Sequence, residues 1–288
     1  MDEQDLLARR FEAHRGRLRA VAYRMLGSLS EADDALQEAW LKVSRADTSR
    51  VENLAGWLTT VVGRVCLDML RSRTARREEP LELHLPDPIV SDPDAIDPED
   101  EVLLADSVGL ALLVVLESLR PAERLAFVLH DMFAVPFDDI GPILGRSPAA
   151  AKQMASRARR RVRETPVPDP DLTRQREVVD AFLAASRGGD FDALVAVLDP
   201  DVVARSDSGA VARGAAAVAR QALAYVRSVH PAVVARPALV NGAMGMIGTV
   251  DGQPVTVLAF TITGGRIVEI DIFSGPDRLR RLDLTVLN

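Results

Sequence analysis

The chain has 288 residues, 48% hydrophobic and 27% charged, which is long enough for about two domains and too apolar for general disorder. A single cysteine, Cys66, rules out an intramolecular disulfide and reads as a small core residue; four scattered histidines without a cysteine cluster argue against zinc, so neither metal nor cofactor is expected. The formal net charge is -7, no apolar run reaches the ~18 residues of a membrane span, and the acidic start MDEQDLLARR does not read as a signal peptide, so a cytoplasmic chain is expected.

Two composition breaks divide the chain. Residues 78–101 hold ten acids, five prolines and no Lys or Arg, a composition that buries too little apolar surface to offset the entropy of ordering. A flexible acidic linker over 79–101 is expected. Three prolines in TPVPDPDL mark a second linker over 165–173. The blocks are therefore 1–78, 102–164 and 174–288.

In the first block Leu18, Val21, Ala22, Met25 and Leu26 recur at helical spacing. After Gly27, Ser30 reads as the N-cap of a second helix that carries Ala32, Ala35, Leu36, Ala39, Trp40 and Val43. Its other face is acidic and amide-bearing (Asp33, Asp34, Gln37, Glu38), and a plain solvated face is the alternative. A third helix, NLAGWLTTVVGRVCLDMLRSRTARRE, turns basic through Arg64, Arg71, Arg73, Arg76 and Arg77, with only Asp68 opposing. The helix dipole accounts for one or two cations at such an end, not five. With Trp57 on the same helix, the pattern suits phosphates and unstacked bases.

The second block breaks at Pro121 and ends in VPFDDIGPILGRSPAAAKQMASRARRRV. The spacing predicts a short helix over 137–144, distorted by Pro142, a positive-φ Gly145, and a new helix with Ser147 as N-cap and Pro148 at its first position. That is a helix-turn-helix. An apolar stripe over Ala150 or Ala151, Met154, Ala158 and Val162 would pack inward. Ala149, Lys152, Gln153, Ser156, Arg157 and Arg160 would face outward, Lys152 and Gln153 toward base edges, with phosphates met mainly by Arg157, Arg159, Arg160, Arg161 and Arg163. A basic surface helix with nothing bound is the bland alternative.

Taken together, "YRMLGSLSEADDALQEAWLKV", "LAGWLTTVVGRVCLDMLRSRTARR" and "LESLRPAERLAFVLHDMFAVPFDDIGPILGRSPAAAKQMASRARRRV" resemble the two domains of an extracytoplasmic-function (ECF) sigma factor of bacterial RNA polymerase. The resemblance spans roughly residues 1–165. It implies a promoter-specificity subunit whose partners are the RNA polymerase core and promoter DNA. Asp33, Asp34, Gln37, Glu38, Trp40 and Leu41 would dock on the clamp helices of the β′ subunit. Asn53, Trp57, Arg64, Arg71, Arg73, Arg76 and Arg77 would bind the minus-10 element, with Arg64 at a position that often carries Asn in relatives. The helix from Ser147 (Ser147, Ala149, Lys152, Gln153, Ser156, Arg157, Arg160) would read the minus-35 element. An acidic connector suits the basic channels of the polymerase.

The third block pairs two amphipathic helices around Gly188-Gly189-Asp190 with apolar segments separated by Asp251-Gly252 and Gly264-Gly265, an antiparallel meander. The expected class is therefore mostly α in the N-terminal half, followed by an α+β domain. That domain resembles the SnoaL-like, NTF2-like or ketosteroid-isomerase-like cone. Sigma factors with this extension carry two short signatures. Asp207-Ser208-Gly209-Ala210-Val211 matches the first in part, without its Lys, and Gly275-Pro276-Asp277-Arg278-Leu279 matches three of five positions of the second. The resemblance implies that the extension modulates the sigma core in place of a separate anti-sigma protein. Asp207 and Asp271 are the only acids that could serve catalysis, and no oxyanion-stabilising partner is evident, so an enzyme is not expected. A small-molecule pocket without chemistry and a protein-interaction module are both open. The competing readings of the whole chain are a free-standing repressor and a SnoaL-type isomerase or hydrolase with a DNA-binding appendage.

Overall fold

The helical spacing from Leu18 to Leu26 falls on α1 (Glu3–Leu26) in the computed structural model of the chain, which describes residues 3–49, 51–75, 85–93, 109–229, 233–282 and 284. Two compact units contain them, one drawn from Met1–Pro80 and Leu113–Thr165, the other from Leu81–Leu112 and Pro166–Asn288. In the first unit Gly27, at φ 70°, turns the chain into α2 (Leu29–Val43). The N-cap is Ser28 rather than Ser30, because the turn at Gly27 leaves Ser28 in the extended conformation a cap needs. With α3 (Leu54–Ala75) these helices enclose Leu18, Val21, Met25, Leu36, Leu58 and Val62. Cys66 lies in this core, where burial pushes its thiol up and keeps it protonated.

The second block follows as α4 (Leu110–Ser118), α5 (Pro121–Phe127), a single π turn (Val128–Met132), α6 (Phe137–Leu144) and α7 (Pro148–Arg163). Arg124 locks it to the first block. Its guanidinium donates 2.8 Å to the Met25 carbonyl, an orphan acceptor in the last turn of α1, and pairs with both oxygens of Glu117. A Cβ on Gly63 of α3 would stand 3.0–3.3 Å from the Leu125 and Leu129 side chains, so the two helical blocks meet at van der Waals distance.

The second unit is α+β, as expected of it. It comprises α8 (Leu172–Gly188), α9 (Phe191–Val197), β2 (Leu198–Ser206), β3 (Val211–Arg213), α10 (Ala215–Val229), β4 (Val234–Val240), β5 (Ala243–Val250), β6 (Gln253–Thr263), β7 (Arg266–Phe273) and α11 (Pro276–Leu279). With β1 (Val90–Ser91) at its edge, the described sheet runs β1-β4-β5-β6-β7-β2-β3. Antiparallel pairing holds throughout except between β2 and β7, which are parallel. One face packs on α8 and α10 through Phe182, Val218, Met246, Phe260 and Ile270.

β1 (Val90–Ser91) is a departure from the expected flexible linker. It pairs with β4, and Leu85, Ile89 and Val90 are buried. The acids of 79–101 conceal a short apolar set that has somewhere to go. Of that segment, only residues 85–93 are described. Residues 167–169 likewise pack on the sheet, with the Asp169 amide donating 2.7 Å to Ile262 and its carboxylate accepting from Gly264 and Gly265. Those amides hold Asp169 below the usual carboxylate range.

On the opposite face of β2 and β7, Arg205 pairs with Glu269 at 2.7 Å and Asp271 at 3.3 Å. Burial pushes Asp271 up to about 6, with Arg205 pulling down and Glu269 adding to the rise. A carboxyl raised above its unfolded value contributes stability that is full below the ordinary 3.8 and lost as pH rises through about 6. Lowering the pH from 7.5 to 5 should therefore favour the wild-type chain over Asp271→Asn in thermal melts. A melting-temperature difference that stays constant with pH would refute this.

Candidate nucleic-acid and polymerase interfaces

On α2 the buried Ala32, Ala35, Leu36, Ala39 and Val43 leave the opposite side outward. Asp34, Gln37 and Glu38 are exposed there, Asp33 and Trp40 are half-buried, and Leu41 is 49% exposed. Arg19 of α1 holds Asp33 at 2.9 Å, and Trp40 tilts against Phe11 with ring centroids 5.2 Å apart. Asp33, Asp34, Gln37 and Trp40 line a groove of about 450 Å³ between α1 and α2. All six predicted residues thus lie on one helix, four of them along this groove.

On α3, Asn53 acts as a cap, its Oδ1 accepting from the Gly56 amide at 3.0 Å. Trp57 is half-buried, and Arg64 is exposed without an ion pair among the described residues. Arg71 stands 4.0 Å from Asp68, and Arg73 pairs with Glu31 of α2. Arg73 is therefore committed to the fold and is not the open cation expected. Arg76 and Arg77 lie outside the described residues.

The helix-turn-helix is built as its sequence dictates. Gly145 takes φ 64° at the C-cap of α6, and Ser147 Oγ accepts from the Ala150 amide at 3.3 Å ahead of Pro148. The inward stripe of α7 is Ala151, Ala155 and Ala158, while Met154 and Val162 are only half-buried. Small residues dominate because the helices approach closely. A Cβ on Gly141 would meet the Arg146 carbonyl at 2.8 Å and the Pro148 nitrogen at 3.2 Å. Ala149, Lys152, Gln153, Ser156, Arg157 and Arg160 are exposed together along α7. Not every arginine there is free: Arg159 pairs with Asp131, Arg161 reaches the Ser118 carbonyl at 3.3 Å, and Arg157 stands 3.8 Å from Glu123. Lys152, Arg160 and Arg163 are unpaired among the described residues.

Comparison with known proteins accords with this geometry. Residues 10–76 match the model of Sigma-70 region 2, and residues 109–162 that of Sigma-70, region 4. The ECF RNA polymerase sigma factor SigJ of Mycobacterium tuberculosis is 42% identical over 287 residues, 93% of this chain and 91% of the relative. The chain belongs to the ECF RNA polymerase sigma factors. It is also 36% identical over 285 residues to the probable ECF sigma factor SigI of that species, covering 97% of each. The crystal structure of SigJ superposes with a TM-score of 0.77 at 37% identity, covering 96% of this chain and all of that one. This sigma factor works with RNA polymerase core and promoter DNA in transcription initiation, and the repressor and enzyme readings give way to that role.

The C-terminal signatures of the sigma factor come together in space. The Asp207 carboxylate accepts from the amides of Gly275 at 3.0 Å and Ser274 at 3.1 Å, fixing the entry to α11. Gly209 takes φ 85° in the β2–β3 turn, Pro276 opens α11, and Leu279 is buried. Asp277 is exposed and, among the described residues, pairs with Arg280. Arg278 stacks 4.9 Å over Phe273 and reaches into residues 85–91, binding the Leu85 carbonyl and the Asp87 carboxylate, the latter at 3.1 Å. Asn241 extends the grip: its amide donates 2.8 Å to the Ile89 carbonyl and its Oδ1 accepts from the Ile89 amide at 3.2 Å. Leu85, Asp87, Ile89 and Asn241 escaped sequence reasoning. Their signal was an apolar rhythm within an acidic segment.

Neither acid once considered for catalysis is disposed for it. Asp207 is a cap, and Asp271 sits on the sheet face opposite the one that carries Ile270 and Ile272. Gly141→Ala should cost about 1–3 kcal/mol through forced displacement of the turn. Denaturant unfolding of the full chain checks this, and an unchanged midpoint would show that the close approach is not a constraint.

Proposed function

We propose that this cytoplasmic sigma factor is held in check by its own C-terminal domain, which retains the connector between the two DNA-facing blocks. Asp33, Asp34, Gln37, Glu38, Trp40 and Leu41 dock on the clamp helices of the polymerase β′ subunit, with Trp40 and the groove beside it as the apolar anchor. Trp57, Arg64 and Arg71 contact the minus-10 element together with Arg76 and Arg77, while Asn53 and Arg73 position α3. Gln153 and Lys152 read base edges of the minus-35 element, Arg160 and Arg157 neutralise phosphate, and Ser147, Ala149 and Ser156 allow backbone approach at the groove.

The observation that carries the regulatory half is the capture of residues 85–91 by β4, Asn241 and Arg278. A connector that pairs as an edge strand is not free to enter the polymerase. Asp207 and Gly209 shape the loop that fixes Gly275, Pro276 sets the start of α11, Leu279 anchors it, and Asp277 stays at its surface. The mechanism is then a competition: the polymerase gains the connector only when the latch opens.

Promoter-dependent transcription with purified core should rise for Arg278→Ala relative to the full chain, since the lost charge-assisted bonds weaken docking by about 1–3 kcal/mol. A chain ending at Glu164 lacks the latch altogether and should transcribe at least as well as Arg278→Ala. Equal transcript yield from the full chain and Arg278→Ala would remove the regulatory reading and leave the sigma assignment intact.

A further inference from the structure

Between α8, α10 and the sheet the C-terminal domain encloses a cavity of about 660 Å³. Packed interiors hold few voids larger than a water molecule, whereas ligand pockets occupy roughly 300–1,000 Å³. Its walls are chiefly apolar, among them Phe182, Leu183, Val218, Met246, Leu258 and Ile270. No carboxylate is among its described lining residues; the charged ones are Arg187 of α8 and Arg227 of α10. Both are exposed and without an ion pair among the described residues, and only Arg227 spends a donor, on the Leu223 carbonyl at 3.1 Å. Tyr225 adds a hydroxyl whose ionisation partial burial pushes further up. An apolar interior with two cations and no acid complements an apolar body that ends in a negative charge.

The cavity also touches the latch. Ser206, Ser208 and Ser274 line it, and these residues flank the Asp207 cap, with Ser206 and Ser208 hydroxyls 3.0 Å apart and the Ser274 amide bound to Asp207. We infer that the cavity is an effector site for a mainly apolar carboxylic acid, and that its occupancy is transmitted through the Asp207 loop to the connector held by Arg278. The binding half stands on the cavity alone, and the transmission half rests on the regulatory reading above.

Calorimetric titration of the full chain with dodecanoate, below its micelle concentration, and with dodecan-1-ol tests the site. Dodecanoate should bind saturably at one per chain, and the alcohol at least about tenfold more weakly, as loss of one charge-assisted contact implies. The double variant Arg187→Ala/Arg227→Ala should erase that preference, and Ala222→Trp, which fills the cavity, should weaken both ligands. Absence of saturable binding to the wild-type chain, or binding that both variants leave unchanged, overturns the site. Hydrogen exchange of residues 85–91 reads the transmission separately. It should change with dodecanoate in the wild-type chain and not in Ala222→Trp, and exchange that ignores a bound ligand overturns the coupling while the site stands.

Discussion

A guanidinium cannot shed its proton in a protein, so Arg124, with its side chain 4% exposed, has to be satisfied where it lies. One carboxylate and one helix-end carbonyl, drawn from different helical blocks, take up its two terminal nitrogens, while its Nε finds no hydrogen-bond partner among the described residues. This constraint decides how the sigma core is assembled, because Glu117 and Met25 have to converge on one point. Around that point the apolar contact of Leu125 and Leu129 with α3, at roughly 1.5–3 kcal/mol per buried side chain, and the Arg17 and Arg24 guanidinium groups over the Phe133 ring also join the two blocks.

The same economy recurs in the second unit. The connector is kept by a two-residue strand, one asparagine and one arginine, together with three buried side chains, Leu85, Ile89 and Val90. Local retention of this kind suits a segment that the proposed mechanism requires to let go. A wide hydrophobic interface would hold the connector permanently, and none at all would leave an acidic chain with no resting place.

Much of this was legible in the sequence because the deciding signals are local. The order Gly145, Ser147, Pro148 specifies a left-handed cap, an N-cap and a first helical position, and no tertiary contact is needed to read it. The acid-and-amide side of α2 follows from the spacing of its alanines alone. Pairing across the chain is a different matter. Nothing near Arg73 in sequence announces Glu31, forty-two positions away, nor does anything near Arg159 announce Asp131, so two arginines that composition assigns to DNA prove to be committed within the protein. The connector failed for a related reason: its acids dominate the composition, while its few apolar residues find partners only in a sheet nearly 150 residues later.

The partial match of the first C-terminal signature becomes intelligible on the same grounds. Its final position is Val211 here, at the start of β3 and 45% exposed, where a change of side chain disturbs no packing. The retained Asp207 is the residue with a structural task, since a carboxylate that accepts two backbone amides fixes the start of α11 and thereby the direction of Arg278. A cap of this kind requires an acid and two free amides; it does not require a lysine four residues on. The departure at Val211 therefore leaves the latch mechanically complete, and what it alters is the charge that the β3 edge offers to its surroundings.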